Sequence, residues 1–265
     1  MNAPARHLTA LAPAAALVAA AAAPASAGVI TFDTADGYNL GTSLVGQPSG
    51  GGPTWAGNGS LYTITSRGGA DGAAQSTTTA NPAFANNRFV PDAAFLGDTD
   101  TSTAGKMYDF SFDLRFDQIG SVDGFRLDHR INIGGSDGSP IVSFQLFGNS
   151  RLQYFNGTGY SNAQNVNGAS LNLDDVGSSR FITVEGAIDI AAATYDLTID
   201  GVQQGTGLGL FSTPSEFGQV TLQLRTNDAG ALQYSLDNVS IAVPEPGTLA
   251  LAGLGSLALL RRRRA

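Results

Sequence analysis

The chain has 265 residues, with 14 Lys+Arg against 22 Asp+Glu, a net charge of −8, two histidines and no cysteine. The lack of cysteine excludes disulfides and thiolate metal sites, so a sizeable apolar core has to hold any exported domain together. The acidic balance argues against nucleic-acid binding, which needs a basic footprint, and two histidines leave little material for a multi-histidine zinc site.

Arg6 and His7 precede Leu8 to Ala23, an apolar run of mainly Ala, Leu and Val, and Ala25-Ser26-Ala27 follows. This is the layout of a secretory signal peptide. It predicts a segment 1–27, recognised at Ala25 and Ala27, exported through the Sec machinery and leaving a mature chain that begins near Gly28. Pro13 and Pro24 would interrupt an Ala-rich structural helix. Residues 28–243 then hold nine basic and 21 acidic side chains, a net charge of −12. Such a surface suits solubility, or Ca²⁺ held by carboxylates. His129 is the single histidine of this region.

Gly, Asn, Asp and Ser then punctuate short alternating apolar runs, the pattern of an all-β domain. Val29 to Phe32 reads as a first strand and Leu61 to Thr65 as a second. Between them lies the Gly-rich stretch Asp33 to Asn58, with the single tryptophan, Trp55. Gly68 to Asp100 has little periodicity and reads as a loop with a short strand near Arg88 to Val90. Met107 to Asp117 alternates most clearly, with Tyr108, Phe110, Phe112, Leu114 and Phe116 on one face and Asp109, Ser111, Asp113, Arg115 and Asp117 on the other. In Phe125 to Ile133 the apolar phase takes in His129. Ile141 to Phe147 and Arg151 to Phe155 form a hairpin around Gly148-Asn149-Ser150. Phe181 to Ile190 carries Gly186 at a bulge or a close approach. Thr194 to Ile199 turns at Asp200-Gly201, a favoured hairpin pair. Val220 to Thr226 and Leu232 to Val243 close the set, and the apolar phase of the last strand slips by one at Asp237-Asn238, which predicts a β-bulge. Roughly ten to twelve strands and no amphipathic helix point to an all-β, two-sheet antiparallel β-sandwich, a jelly roll, over residues 28–243.

The tail reads Val243-Pro244-Glu245-Pro246, an uncharged run Thr248 to Leu260, then Arg261, Arg262, Arg263 and Arg264. As a helix the run covers roughly 20 Å at ~1.5 Å per residue, short against a bilayer core of about 30 Å. The arginines would stay on the cytoplasmic side, leaving the preceding domain outside. Pro-Glu-Pro, apolar helix and Arg run, in that order, resemble the PEP-CTERM sorting signal of Gram-negative bacteria. The resemblance covers residues 244–265. It implies transient inner-membrane insertion, recognition by an exosortase, processing near Pro244 to Pro246, and release to the cell surface or an exopolysaccharide matrix.

Phe32-Asp33 with Gly37-Tyr38, the turn Gly41 to Gln47 before Trp55, the hairpin Ala187 to Gly201 and the closing Asp237-Asn238-Val239 resemble, in that order, concanavalin-A-like jelly rolls of the lectin/glucanase and laminin-G type. The resemblance implies a sandwich whose concave sheet or edge loops bind glycans. The paired glutamates of glucanases on that fold are absent, since residues 28–243 hold only Glu185 and Glu216. His129 lacks a Gly-x-Ser-x-Gly partner motif and reads as a core histidine. No catalytic residue is therefore assigned. Trp55, Tyr154 and Tyr160, near Gly-rich turns, are candidate glycan platforms. Asp98, Asp100 and Asp237 are candidate ligands of a structural Ca²⁺, with solvated turn carboxylates as the alternative. The sequence thus predicts an exported, non-enzymatic surface or matrix protein that takes a glycan. A glycan-degrading enzyme on the same fold and a purely structural or adhesive matrix component remain open beside it.

Overall fold

The computed structural model describes residues 28–47, 54–58, 62–68, 71–76, 83–90, 93–96, 102–118, 129–147, 151–171, 180–226 and 233–243. Within them lie fifteen strands. The first five are β1 (Val29–Ile30), β2 (Ala56–Asn58), β3 (Tyr62–Gly68), β4 (Asp71–Ser76) and β5 (Ala83–Phe89). A four-residue helix, α1 (Ala93–Leu96), separates these from β6 (Met107–Gln118), β7 (His129–Gly135), β8 (Pro140–Phe147), β9 (Arg151–Phe155) and β10 (Tyr160–Asn162). The remainder are β11 (Ile182–Asp189), β12 (Thr194–Ile199), β13 (Val202–Gly209), β14 (Phe217–Thr226) and β15 (Gln233–Ala242).

They form two antiparallel sheets. One runs β13-β12-β11-β6-β15-β4-β3, with β1 also pairing β15, and the other runs β10-β9-β8-β7-β14-β5-β2. The protein is an all-β sandwich, as the alternation predicts. All five apolar side chains on the inward face of β6 are buried, and Phe110 and Phe112 meet Phe144 of the opposite sheet at ring-centroid distances of 6.0 and 5.3 Å. The slip in the last strand is a bulge: Asp237 pairs Asp113 but Ser240 pairs Ser111, so three steps on β15 span two on β6. Asn238 takes a left-handed φ of 49° there, a conformation Asn tolerates better than most residues. Asp200 and Gly201 turn β12 into β13 with φ of 51° and 74°, the pair of positive values a type I′ hairpin requires.

Other expectations change. β1 stops at Ile30 because Phe32 has φ 57° and turns the chain away. Gly68 to Asp100 holds more structure than a loop with one short strand: the strand expected near Arg88 is the end of the longer β5, and β4 and α1 lie on either side of it. β13 escapes the pattern because its Val-Gln-Gln-Gly-Thr-Gly-Leu-Gly sequence has no alternation; it is an edge strand whose ladder partner among the described strands is β12. Residues 1–27 and 244–265, including the short apolar tail, lie outside the described residues. Among the described residues no helix is long and apolar enough to cross a membrane. The two ends of the domain meet: Gly28 N–H donates to Phe95 O (2.8 Å) and Val243 N–H to Leu96 O (3.1 Å), both on α1.

Gly186 sits in unbroken register with Phe110 and Leu197, so it marks a close approach and not a bulge. A Cβ there would lie 2.2 Å from Asp196 O and 2.7 Å from the Phe110 ring. Gly186→Ala is expected to destabilise the fold by about 2 kcal/mol or more, since backbone and a core ring must both move. Thermal unfolding followed by circular dichroism checks this, with Gly159→Ala, where a Cβ meets nothing within 4 Å, as the comparison.

Candidate functional site

The residues nominated from sequence separate in space. Trp55 is only 1% exposed; its Nε1–H donates to Tyr38 Oη (3.0 Å) and its ring packs on Phe32 and Phe89. It is a core residue and offers no ring face to a sugar, which corrects its nomination as a platform. Tyr154 is 6% exposed, donates to Gln204 O (3.3 Å), and its phenol is pushed up by burial, so it too belongs to the interior. Asp237 is 1% exposed; it forms an ion pair with Arg67 and accepts from Asn238 N–H (2.7 Å). Its carboxylate serves the β-bulge, which corrects its nomination as a Ca²⁺ ligand. Asp98, Asp100, Ala25, Ala27, Pro244, Glu245, Pro246 and Arg261 to Arg264 lie outside the described residues. Among the described residues no three His, Asp or Glu side chains gather as a metal site. His129 is fully buried and edge-on to Tyr234 at 5.6 Å, a core histidine as its phase predicts.

Tyr160 is half-buried on the outward side of the seven-stranded sheet, in a setting its sequence neighbours do not reveal. The outward positions of the seven-stranded sheet fall into rows. Register carries one row from Asn162 through Gln153, Gln145, Arg130 and Gln223 to Asn86. Five amides and one guanidinium thus line up across six strands. Asn162, Gln153, Arg130, Gln223 and Asn86 are half-buried and Gln145 is buried, so the row is recessed. With its amide oxygen turned toward Arg130, Gln145 accepts from Nη2 (2.9 Å) and Nε (3.1 Å), while Gln153 Nε2 donates to Asn162 Oδ1 (2.7 Å). In the next row Ser143 pairs Asn132, which pairs Thr221, which pairs Arg88. Ser143 Oγ donates to Asn132 Oδ1 (2.6 Å) and shares a 2.9 Å hydrogen bond with Tyr160 Oη. Tyr160 meets Phe155 edge-on at 5.7 Å, and Phe155 meets Phe211, 43% exposed, at 4.7 Å. An aromatic corner thus closes one end of an amide-lined surface.

The opposite outer face holds a groove of about 530 Å³ lined by Asp109, Ser111, Glu185, Asp196, Thr198 and Gln203, with Gly186 and Ala187 among its lining residues. Ala187 pairs both Asp109 and Asp196, so two carboxylates flank a methyl group. Burial holds the Asp109 carboxyl above its ordinary range, and Asp196 Oδ1 accepts from Gly207 N–H (2.8 Å). Asp109 and Asp196 are 87 positions apart in the chain, so no local spacing announces them.

Residues 242–264 match the family model described as the PEP-CTERM protein-sorting motif. The chain is therefore a β-sandwich protein carrying a PEP-CTERM signal, which implies exosortase-mediated sorting; the match concerns delivery and leaves the domain's activity open. Similar solved structures include a sialidase (13% identity, 72% of this chain and 17% of that chain covered, TM-score 0.49). A botulinum neurotoxin type C structure, described for cell entry dependent on two ganglioside molecules, is 11% identical over 77% of this chain and 47% of that one, with a TM-score of 0.47. Alginate lyase AlgAT5 of polysaccharide lyase family 7 is 13% identical over 76% and 92%, with a TM-score of 0.42. The chain spans less than half the length of the first two. The sandwich rests on the strand pairing described above, and no activity is taken from these neighbours. No curated protein matches the sequence.

Trp55→Phe is expected to lower stability by about 2 kcal/mol, through the lost Tyr38 hydrogen bond and the volume removed from a filled core. Denaturant unfolding of the variant measures it.

Proposed function

We propose that this protein is a non-enzymatic carbohydrate-binding sandwich delivered to the cell surface or extracellular matrix, and that it binds through the outer face of its seven-stranded sheet. The observation that carries the reading is the recessed row Asn162, Gln153, Gln145, Arg130, Gln223 and Asn86 beside the Phe155, Tyr160 and Phe211 corner. Each amide offers both a donor and an acceptor, the combination that a pair of neighbouring sugar hydroxyls needs. Exposed aromatic edges and faces supply the apolar contact for the C–H surface of a pyranose. Delivery follows the route read from the ends: Sec export with cleavage after Ala27, transient anchoring by Thr248 to Leu260 in the inner membrane of a Gram-negative cell, then exosortase processing near Pro244 to Pro246. The meeting of Gly28 and Val243 on α1 supports that route, since both cleavage points would lie close together beside one short helix.

On a glycan array the full-length chain in non-ionic detergent is expected to bind at least one oligosaccharide at sub-millimolar affinity. Gln153→Ala and Gln223→Ala should each weaken that binding about five- to tenfold, as loss of a hydrogen bond worth about 1 kcal/mol would. Trp55→Phe, if folded, should leave it unchanged. An array without a hit, or binding indifferent to Gln153 and Gln223, overturns the assignment.

A second reading rests on the acidic groove. Glycoside hydrolysis uses two carboxyl groups across the scissile bond, one held protonated. Asp109, with its raised pKa, would be the acid and Glu185 its partner. Reducing-sugar release from matrix polysaccharide, abolished by Asp109→Asn, would establish an enzyme; no release at any pH between about 4 and 8 leaves the binding reading in place.

A further inference from the structure

The two sheets share a core but differ in charge. The seven strands β2, β5, β7, β8, β9, β10 and β14 contain no Asp or Glu, and they contain Arg88, Arg130, Arg151 and Arg225. The eight strands of the other sheet contain Asp71, Asp109, Asp113, Asp117, Glu185, Asp189, Asp196 and Asp237, against Arg67 and Arg115. Strand propensity disfavours Asp in both sheets alike, so it does not explain a segregation of this kind. Both arginines of the acidic sheet are paired, Arg67 with Asp237 and Arg115 Nε with Asp117 (2.6 Å). In the other sheet Arg88 and Arg151 are exposed. A region with net charge −12 repels polyanions at long range, yet among the described residues the strands of this sheet carry arginines and no carboxylate.

The arginines are also ordered. Arg130 lies in the amide row; Arg151 is two residues before Gln153 of that row, and Arg88 is two residues beyond Asn86. The order β9-β8-β7-β14-β5 puts one strand between successive arginines. Arg151, Arg130 and Arg88 therefore form one diagonal, each step two strands across and two residues along, about 12 Å from ordinary strand geometry. A loose cluster would suit a small anion. An even diagonal suits a linear chain with a charge repeated at every second or third sugar.

We infer that the ligand of this face is a linear anionic polysaccharide, its uronate-type carboxylates met in turn by Arg151, Arg130 and Arg88 while the amides take its hydroxyls. This inference rests on the carbohydrate-binding reading and deepens it. Guanidinium is the suitable cation, because its planar fork matches a carboxylate bidentately, and Lys106, the single lysine, lies outside these strands.

The test compares polygalacturonate with the same polymer after reduction of its carboxyl groups, using the full-length chain in non-ionic detergent. The native polymer is expected to bind at least about tenfold more tightly at about 0.05 M NaCl, with the preference shrinking toward about 0.5 M as the screening length shortens. The double variant Arg88→Gln/Arg151→Gln should lose about tenfold for the native polymer and none for the reduced one, two exposed charge contacts being worth about that much together. Arg180→Gln, which alters an arginine paired with Asp200 beside the other sheet, should change neither. Equal binding of both polymers, or binding only of neutral array glycans, overturns the anionic inference and leaves the carbohydrate reading standing. An array with no hit together with no binding of either polymer removes both. Low-salt self-association that the double variant abolishes and polygalacturonate does not displace would show that the face meets the acidic sheet of a second copy, and would overturn the inference as well.

Discussion

Everything in this sandwich leans on the pairing of β6 with β15. β6 turns five large apolar side chains inward, and β15 lies beside it in the middle of the eight-stranded sheet. Phe110 and Phe112 reach Phe144, and Tyr108 stacks on Phe217 at 4.9 Å, so this one strand binds the two sheets together. Without disulfides, such contacts carry the stability: each large buried apolar side chain contributes about 1.5–3 kcal/mol by leaving water. The bulge at Asp237 and Asn238 belongs to the same pairing. It lets β15 resume its inward phase with Val239 and Ile241 after Leu236, and the Arg67 to Asp237 ion pair offsets the cost of the carboxylate buried there.

Because strand side chains alternate, a core of this kind leaves each sheet one free face, and the two faces have separate chemistry. On the eight-stranded sheet, carboxylates mostly find local partners: Asp113 accepts from Thr183 and Asn238, Asp117 from Gln75 and Arg115. Arg67 and Arg115 also cover the Phe181 ring, at 4.2 and 4.9 Å from its centroid, which ties charge to packing at that end of the sheet. Among the described residues the seven-stranded sheet has no such carboxylate network. Its polar groups are amides, hydroxyls and arginines set in rows, with an aromatic corner at one end. One face is thus largely occupied with its own electrostatics, and the other presents hydrogen-bonding groups outward.

The geometry of the ends matters for delivery. β1 pairs β15, and both terminal segments of the domain attach to α1. A polypeptide tethered through its carboxy-terminal segment would therefore hang from one end of the sandwich.

Much of the fold was legible in the residues. Period-two alternation placed β6, β8, β9, β11, β12 and β15, and the inward faces of β6, β11 and β15, Asp200-Gly201 announced its hairpin, and the phase slip announced the bulge, because these signals are local and repeat along a single segment. The tail's sorting motif was legible for the same reason. β4, β13 and all of β5 before Arg88 were not, because Gly-, Ala- and Asn-rich strands pair through backbone and neighbours without an alternating pattern of their own. The site was read less well. Trp55 and Tyr154 looked like surface platforms only because composition cannot tell a ring in a core from a ring on a face; Tyr38, Phe32 and Phe89 enclose the first, and the space between the sheets takes the second. By itself the sequence determined the class of fold, the phase of its strongest strands and the address. Only tertiary structure assembles the candidate site, since a row such as Gln153, Gln145, Arg130, Gln223 and Asn86 draws one residue from each of five strands, and strand order and register, set by long-range pairing, determine which residues stand side by side.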